Sequence, residues 1–571
     1  MITEIRKGRM SIHLYYALFL VLLIGATDPA VAQRKLGVAP SSSGGPLSDE
    51  QGSYDVTFYD LDLKVDPAER SIAGKLAVRA RVVRPIEWFV LDLDTLLQVT
   101  SVVGHDQAAG AVPLGFERRG GQIRIALPGL KPAGESLALE VTYGGEPRIA
   151  PRPPWVGGFT WSTTESGEPW IGVSCQSDGA DIWWPCKDHP SDEPDSMALH
   201  ITVPRPLVCA ANGRLRGITD NDDGTHTYHW FVSNPINNYN VSLNIAPYRT
   251  IEDTYISVTG DTIPITFWVL PENYEKGLAL FPQFSEHLRF YETYLGPYPF
   301  RADKYGVAET PYLGMEHQTI IAYGNRYRNN DYGFDVLHFH ELAHEWWGNL
   351  VTCADWKDMW LHEGFAVYME ALYAEHLHGD SALYSYMAGI RPRLRNLRPV
   401  APRESQTTLQ IYFVPPDYVE SDGDIYNKGA YILHSLRYLI GDEPFFRTLR
   451  RMAYPDPAAE MVTDGGQCRF AGSDDFQRIA EEVSGRNLDW FFKLYLRQEK
   501  LPVLTARVRW GKLRLRWKTP WWLPFPMPVP VQFGEEVKRV AMPRKRATVA
   551  IPEGVQPIID PQHWLLKVEV R

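Results

Sequence analysis

The pattern of apolar and polar positions changes twice along the chain. Residues Tyr59–Val65 alternate between the two kinds of side chain, Asp66–Arg70 has the composition of a turn, and Gly74–Val83 alternates again. Alternation with a period of two on both sides of a turn is typical of a β-hairpin. Similar short runs recur as far as Tyr248 without a helical period, so we predict an all-β domain over residues 54–248.

The middle of the chain has a helical period instead. After a strand-like run at Thr262–Leu270, apolar residues recur at helical spacing, first in Phe281–Leu295 and then towards residue 500. Residues 501–571 return to alternation, which predicts a small C-terminal domain resembling a β-sandwich. Because 571 residues are too many for one hydrophobic core, we predict a multidomain α+β protein whose middle domain spans residues 249–500.

The N-terminus has the pattern of a secretory signal peptide over residues 1–32. Arg6, Lys7 and Arg9 provide a positive start, the apolar run Leu14–Ala26 is too short for a membrane span, and Ala30–Ala32 is a small-x-small cleavage site. We therefore predict export to a periplasm or to the extracellular space. The alternative is that the segment stays uncleaved as a membrane anchor.

Composition narrows the range of partners. Residues 33–53 are rich in Ser, Gly and Pro and predict a flexible lead-in. The formal net charge is −11 and there is no run of more than three consecutive basic residues, which argues against binding to nucleic acid. No other stretch is long and apolar enough to span a bilayer, so we expect membrane contact only through an uncleaved N-terminal segment.

The five cysteines are few for an exported protein, and the predicted domains are large enough to fold without disulfides. A Cys175–Cys186 disulfide is compatible with the sequence, which does not decide it. The odd number leaves at least one thiol unpaired within the chain.

The strongest chemical signal is the motif H-E-x-x-H at residues 340–344. His340 and His344 are one helical turn apart and can bind one metal ion together, while Glu341 can face the same ion without being a ligand. A catalytic zinc needs a third protein ligand and an open position. Glu363 is the candidate because it follows a loop-like segment and opens a second apolar helix, Trp360–His378.

Three neighbouring residues are assigned other roles. His338 is two positions from His340, so on a helix it faces away from the metal. His362 adjoins Glu363 and is expected either to support a metal ligand without binding the metal itself or to be merely structural. Glu370 is two turns beyond Glu363 on the same helical face, where it can orient a ligand histidine or remain a solvated charge.

The residues H-E-L-A-H-E-W-W-G-N, followed by W-L-H-E-G-F-A, resemble the gluzincin aminopeptidases, the family of aminopeptidase N and leukotriene hydrolase. The spacing from His344 to Glu363 is that of the family, although many members carry Asn where this chain has His362. The resemblance implies one zinc ion per chain and a thermolysin-like α+β catalytic domain at residues 249–500.

A segment upstream of the motif resembles the family's Gly-x-Met-Glu-Asn signature. In that family the signature lies on an exposed sheet edge beside the zinc, which implies that Gly314 and Met315 line the substrate and that Glu316 faces its terminal ammonium. A carboxylate in a partly desolvated dead end favours the cation that a free N-terminus supplies. The chain departs from the signature at Leu313, in place of Gly, and at His317, in place of Asn.

The resemblance implies roles for two more residues. Tyr426 begins Tyr-x-Lys-Gly-Ala, in which the family's tyrosine donates a hydrogen bond to the tetrahedral intermediate. Gln176 matches a loop residue of the β domain that holds the substrate's amino group. Two positions earlier, where many members have another Gln, this chain has Ser174.

These features together predict a zinc-dependent aminopeptidase that removes N-terminal residues from peptides with a free N-terminus. The zinc site would activate a water for attack, with Glu341 as general base and Tyr426 stabilising the oxyanion. Two alternatives stay open. One is another hydrolase on the same site, either an endopeptidase or an epoxide hydrolase, and the other is a non-catalytic binding protein.

Overall fold

The computed structural model describes residues 43–568, except for 107–109 and 414–420. The predicted signal peptide 1–32 and the first part of the predicted lead-in lie outside the described residues. In the described part of the chain, no helix combines the length and the apolar character that crossing a bilayer requires.

The prediction of a flexible lead-in as far as residue 53 is wrong for residues 43–53. The buried Ser43 hydroxyl accepts a hydrogen bond from Trp356 Nε1 at 3.3 Å, and the Gly45 amide donates to the Gln406 carbonyl at 3.2 Å. Gly44 lies so close that an added Cβ would be 2.2 Å from the Trp356 ring. Gly44, one of the glycines that suggested flexibility, lies where the backbone passes against an indole and leaves no room for a side chain.

The described residues before Arg249 form strands joined by turns and by single turns of 3₁₀ helix. The strands are β1 (Tyr54–Asp66), β2 (Ser71–Val82), β3 (Ile86–Asp92), β4 (Leu97–Asp106), β5 (Gly110–Pro113), β6 (Phe116–Arg119), β7 (Gln122–Lys131), β8 (Ser136–Gly145), β9 (Gly158–Thr163), β10 (Pro169–Ser174), β11 (Ser196–Pro204), β12 (Val208–Ala211), β13 (Arg214–Asp220), β14 (Thr225–Val232) and β15 (Leu243–Ala246).

These strands form sheets whose buried faces follow the sequence alternation. The largest sheet has the order β13-β14-β11-β1-β2-β8-β4-β5, and the others have the orders β12-β15-β10-β9 and β3-β7-β6. In β1 the side chains of Tyr59, Leu61, Leu63 and Val65 are fully buried, whereas the residues between them face outwards. The four-stranded sheet matters for function because the loop after β10 carries Gln176.

The middle domain opens with strands and continues mainly with helices. Its strands are β16 (Arg249–Ile256), β17 (Thr262–Val269), β18 (Tyr305–Glu309), β19 (Gly314–Met315), β20 (Ile321–Tyr323), β21 (Val351–Thr352) and β22 (Arg469–Phe470). Its helices are α1 (Tyr274–Leu280), α2 (Pro282–Leu295), α3 (Val336–Ala343), α4 (Trp360–His378), α5 (Asp380–Ile390), α6 (Thr408–Tyr412), α7 (Asp424–Ile440), α8 (Asp442–Ala453), α9 (Ser473–Ser484) and α10 (Asp489–Tyr495).

The five-stranded sheet of this domain places a short strand at its edge. Its order is β16-β17-β18-β20-β19, so β19 is bonded to β20 on one side only. Gly314 pairs with Tyr323 and Met315 with Ala322 in antiparallel register. The edge position predicted for the Met-Glu segment is therefore the one that the structure shows.

The C-terminal residues form two three-stranded sheets that enclose a small core. The strands are β23 (Val503–Arg509), β24 (Lys512–Lys518), β25 (Val529–Phe533), β26 (Glu536–Val540), β27 (Arg546–Ala550) and β28 (Pro557–Ile559). The sheet orders are β23-β24-β27 and β26-β25-β28. Leu513, Leu515 and Trp517 point inwards from β24, and the Trp517 indole donates to the Met527 carbonyl at 2.8 Å. The predicted multidomain α+β class is confirmed.

Candidate active site

Helix α3 presents the H-E-x-x-H residues and is fixed at its start by a side-chain cap. The Asp335 carboxylate accepts the His338 amide hydrogen at 3.0 Å, which satisfies one of the free N–H groups of the first turn. His338 points to the opposite side of the helix, where its Nδ1 is 2.8 Å from Nδ1 of His287. As predicted from its spacing, His338 lies away from the metal-binding face.

The three predicted zinc ligands meet at one point. Nε2 of His340 is 3.3 Å from Nε2 of His344, and Oε2 of Glu363 is 3.5 Å from each of these nitrogens. Glu363 is in the first turn of α4, which brings it beside the end of α3. Ligand atoms about 2 Å from a tetrahedral zinc ion are about 3.3 Å apart, so this triangle has the size that zinc requires.

Hydrogen bonds from the other ring nitrogens set the tautomer of both histidines. Nδ1 of His340 is 2.6 Å from a Glu370 carboxylate oxygen, and Nδ1 of His344 is 2.9 Å from the Trp347 carbonyl oxygen. Each Nδ1 therefore donates, and each Nε2 is left with a lone pair. Two lone pairs and a carboxylate oxygen converge without a donor between them, which is a site for a cation.

The pKa values of the three predicted ligands also indicate a site for a cation. Burial lowers the pKa of His340, but hydrogen bonds to Glu363 and Glu370 outweigh it and raise this pKa well above the ordinary value. Burial also opposes the charge on His344, yet nearby carboxylates raise its pKa to about 9. Burial raises the pKa of Glu363, and the two imidazoles more than reverse that effect. Near neutral pH the raised pKa values favour a proton on these imidazoles, so the three side chains stabilise positive charge at their centre, and a metal ion bound there would take the place of that proton.

Glu341 lies between the zinc helix and the sheet edge. It is buried, and burial raises the pKa of its carboxyl group to about 8. A Cβ added at Gly314 would be 2.7 Å from Oε1 of Glu341 and equally close to the Leu337 side chain. Because Gly314 has no side chain, Glu341 can approach the backbone of β19. This is the strand along which the substrate is expected to bind.

Glu316 is buried and adjoins Glu341. Ligand atoms of Glu316, Glu341 and His344 all lie within 4.8 Å of one another. Oε1 of Glu316 accepts hydrogen bonds from Gln176 Nε2 and from the Tyr239 hydroxyl, the latter at 3.0 Å. The structure thus brings together the two residues that the sequence assigned to the substrate's amino group.

Met315 lies on the edge strand β19, opposite Ala322 of β20. Its side chain is buried in a small apolar cluster with Tyr312 and Ala322. The departures from the family signature lie close by: Leu313 is 42% exposed, whereas His317 is fully buried with neither ring nitrogen hydrogen-bonded among the described residues.

Tyr426 enters from the first part of α7. Its ring lies 6.4 Å from that of His340, measured between centroids. Burial first, and then the Glu363 charge, raises the pKa of Tyr426 well above its ordinary value. The phenol therefore keeps its proton and can donate a hydrogen bond beside the metal-binding face.

Three tyrosines at the site were missed from the sequence, and one of them is Tyr239, the partner of Glu316. The Tyr412 hydroxyl donates to Oε1 of Glu363 at 3.0 Å, leaving Oε2 to face the histidines. Tyr386 donates to Glu370, the acceptor of His340. Tyrosine is common in this chain, and none of the three lies in a recognisable motif, so no local signal marks them.

His362 and the cysteines have structural roles. Nε2 of His362 accepts the Cys353 amide hydrogen at 3.0 Å, in agreement with its predicted structural role. Cys175 and Cys186 are both buried and form no disulfide, and the Cys175 thiol donates to the Tyr239 carbonyl at 3.3 Å.

Comparisons with known proteins match two parts of the chain to one family. Residues 283–493 match the Peptidase family M1 domain, and residues 56–239 match the Peptidase M1 N-terminal domain. The two matches together include more than half of the chain.

Curated relatives are similar over part of their length. Leukotriene A-4 hydrolase of Xenopus laevis is 24% identical over 69% of this chain and 64% of that protein. Glutamyl aminopeptidase of Homo sapiens is 26% identical over 62% of this chain and 36% of that protein. The chain therefore spans between about a third and two thirds of these two relatives.

Solved structures share the fold over most of the chain. An M1 zinc metallopeptidase from Deinococcus radiodurans, bound to the substrate Tyr-Ser-Ala, has a TM-score of 0.64 and 24% identity, over 80% of this chain and 98% of that one. A two-domain M1 zinc metallopeptidase bound to L-arginine has a TM-score of 0.63 and 25% identity, over 80% and 96% of the two chains. The chain belongs to the M1 family of peptidases.

Proposed function

We propose that this protein is a zinc-dependent aminopeptidase that removes single residues from the N-terminus of peptides. The observation that carries the proposal is the position of Glu316, buried within 4.8 Å of both Glu341 and His344. A buried carboxylate at this distance from the metal-binding face leaves room for about one residue. It favours substrates that bring a terminal ammonium there.

The residues divide the chemistry between them. When bound by His340, His344 and Glu363, the zinc ion acts as a Lewis acid that polarises the peptide carbonyl and makes water acidic. Glu341 takes the proton of the attacking water and transfers it to the leaving nitrogen. Tyr426 donates a hydrogen bond to the developing oxyanion.

Substrate positioning falls to the anchor and the sheet edge. Glu316 accepts the ammonium group, with Gln176 and Tyr239 holding its carboxylate in place. The free side of β19 offers backbone groups to which an extended peptide can add as a strand. The buried charge of Glu316 speaks against an endopeptidase, whose substrate would bring no terminal ammonium to this position.

Two peptides of one sequence test the proposal, one with a free N-terminus and one acetylated. Each is incubated with the purified mature protein, with and without a zinc chelator, and followed by mass spectrometry. We expect stepwise loss of single N-terminal residues from the free peptide only, stopped by the chelator. Internal cleavage of both peptides would refute the exopeptidase assignment, and no cleavage by the zinc-loaded protein would indicate a narrow or non-peptide substrate.

The anchor can be tested separately from the metal. Glu316→Gln removes the negative charge and keeps the shape of the side chain. It should raise KM for the free peptide about tenfold or more, since charge-assisted hydrogen bonds contribute roughly 1.5–3 kcal/mol. Zinc content should stay unchanged; an unaltered KM would remove Glu316 from the anchoring role.

We also propose that the protein is exported. The support is the charged start, the short apolar run and the Ala30–Ala32 site in the sequence. N-terminal sequencing of protein recovered from the cell envelope or the medium should begin at Gln33. A start at Met1 would instead favour the uncleaved anchor.

A further inference from the structure

The C-terminal domain has a charge opposite to that of the chain. Residues 501–571 contain thirteen Lys and Arg but five Asp and Glu, a formal net charge of +8, whereas the whole chain has −11. No acidic residue occurs between Leu501 and Gly534. The positive charge is therefore concentrated on the strands at the start of this domain.

Strand alternation places these cations on one face of a sheet. In β24 the apolar residues are buried and the residues between them are exposed. β23 and β27 pair with β24 in a register that places their outward-facing residues beside the exposed residues of β24. Seven exposed cations share this outer face: Arg507, Arg509, Lys512, Arg514, Arg516, Lys518 and Arg546.

Like charges lie directly opposite one another on this face. Arg507 pairs with Arg514, Arg509 with Lys512, and Arg516 with Arg546. Directly opposed like charges destabilise a sheet. Within the described residues none of the seven forms an ion pair. The fold alone would be better served by mixed charges, so the arrangement points to an anionic partner.

Exposed indole rings lie at both ends of β24. Trp510, in the turn before the strand, is 76% exposed, and its ring lies 4.0 Å from the Arg509 guanidinium. Trp521 and Trp522, in the loop after the strand, are 91% and 52% exposed. Tryptophan is enriched where a bilayer meets water, and basic residues are attracted to anionic leaflets.

We propose that this basic face, defined by the seven cations above and flanked by Trp510 and Trp521, binds the surface of an anionic phospholipid bilayer. A planar partner fits the flat outer face of a sheet. A long polyanion would also run past the rest of the chain, which has a net negative charge. Membrane contact would then not depend on an uncleaved N-terminal segment.

Co-sedimentation of the full mature protein with vesicles tests the proposal. The vesicles are phosphatidylcholine alone or with about 30% phosphatidylglycerol, at about 0.1 M and 0.5 M salt, which separates screened from unscreened charge. We expect binding to the anionic vesicles at low salt only. Arg514→Gln, Arg516→Gln and Arg546→Gln together should weaken the binding about a hundredfold, because each basic residue near an anionic leaflet contributes about fivefold.

Matched variants separate the basic face from total charge. Lys64→Gln, Arg81→Gln and Arg447→Gln together remove three exposed cations elsewhere and should leave the binding within about twofold. The double variant Trp510→Ser with Trp521→Ser keeps all seven cations but loses the two interfacial indoles. It should therefore also bind anionic vesicles more weakly than the wild type, even when the vesicles are highly charged. The face triple variant should also keep peptidase activity and melt at or above the wild-type temperature, since it removes opposed like charges.

Two outcomes would overturn the proposal. One is absence of binding to anionic vesicles; retention by a polyanion such as single-stranded DNA, or salt-sensitive self-association, would then identify the partner of the basic face. The other is equal loss of binding in both triple variants. These readouts do not involve peptide cleavage, so their failure is distinct from failure of the proposed activity.

Discussion

Glu341 differs from the residues around it because it touches the metal-binding face without completing the ligand triangle. Its carboxylate shares a cluster with Glu316 and His344, whereas the zinc-sized triangle consists of His340, His344 and Glu363. Burial raises the pKa of its carboxyl group to about 8, and a cation bound beside it would lower that pKa again, towards the range of a group that accepts and returns a proton near neutral pH.

Glu341→Gln is therefore expected to separate chemistry from metal binding. The amide cannot accept the proton, so turnover should fall at least about a hundredfold, the usual minimum for loss of general base catalysis. Zinc content measured by atomic absorption should stay at one ion per chain. Turnover close to that of the unchanged protein would assign the base to another residue.

Glu370 acts on the zinc site through His340. Its carboxylate holds Nδ1 of the ring at 2.6 Å and accepts a further hydrogen bond from Tyr386. Glu370→Gln should weaken zinc affinity about 10- to 100-fold, the usual effect of removing a partner of a ligand histidine. Competition with a chromophoric chelator measures it, and Tyr386→Phe should give a smaller loss.

Glu375 provides the control for this prediction because it is on the same helix but bonds elsewhere. Its carboxylate forms two hydrogen bonds with Arg437, at 2.6 and 2.9 Å. Glu375→Gln should lower stability and leave zinc affinity unchanged. Equal zinc affinities for the two variants would mean that Glu370 is only a helix charge.

The residues that sequence analysis located are those whose partners are encoded locally. His340 and His344 are one turn apart on one helix, and the helical period alone brings them together. Tyr239 lies in a single 3₁₀ turn and Tyr412 at the end of α6, so they reach the same site from distant parts of the chain, and tertiary packing sets their contacts. Periodicity contains no information about such contacts.

At the scale of elements, α4 and α7 are held together by two glycines. A Cβ added at Gly364 would be 2.8 Å from the Gly429 Cα, and one added at Gly429 would be 2.9 Å from the Gly364 Cα. Gly364 follows the zinc ligand Glu363, and Gly429 is three residues after Tyr426. The backbone contact between these glycines thus sets the distance between a ligand and the oxyanion donor.

Gly429→Ala should separate the helices and impair the site. Alanine is the better helix former by about 1 kcal/mol, yet overpacking against backbone costs about 1–3 kcal/mol. We expect lower stability in urea unfolding together with a lower kcat. Gly389→Ala in α5 is the control, because a Cβ there meets nothing within 4 Å and should stabilise the protein. Stabilisation by both substitutions would show that the helices can separate freely.

Element types were predictable where one period persists. The second zinc helix was predicted over Trp360–His378 and is observed over the same residues. The lead-in failed as a prediction because its order depends on Trp356, some 300 residues away in the sequence. A composition rich in Gly and Ser indicates that an isolated segment has a flexible backbone. It does not show whether the segment is ordered by packing against another part of the protein.

At the scale of the whole molecule, sequence analysis missed that the C-terminal domain has a net positive charge whereas the rest of the chain has a net negative charge. The cations of β24 occupy every second position, so no run of consecutive basic residues marks them. The net charge of −11 averages the acidic domains with the basic one. Only the pairing of β23 and β27 with β24 shows that the cations share a surface.

Lys304 links the N-terminal and middle domains and makes their contact sensitive to pH. Its buried ammonium group donates to the carbonyls of Ala211 at 2.9 Å and Gly213 at 2.6 Å. It lies 4.9 Å from the Trp230 ring of the N-terminal domain. Burial outweighs the opposing charges of Asp303 and Glu345 and lowers the pKa of Lys304 to about 7.

A lowered pKa for a buried base stabilises the folded state at high pH. In the unfolded chain a lysine keeps its proton up to about pH 10.4, so between pH 7 and 10 the unfolded state binds more protons and stability rises with pH. The stability gained from the neutral form of Lys304 is fully present above the pKa of the unfolded chain. It is lost as the pH falls through about 7, the pKa in the folded protein. A single group of this kind changes the free energy of unfolding by at most about 1.4 kcal/mol per pH unit.

Lys304→Met should remove this contribution and keep the length of the side chain. The free energy of unfolding in urea, measured at pH 7.5 and 9.5, should show a wild-type advantage over the variant that grows by about 2 kcal/mol across this interval. The variant is also expected to be less stable at both pH values, because two buried carbonyls lose their donor. Lys64→Met, at an exposed lysine, is the control and should run parallel to the wild type. A constant difference between wild type and Lys304→Met would mean that Lys304 is charged in the folded protein and that its hydrogen bonds alone join the domains.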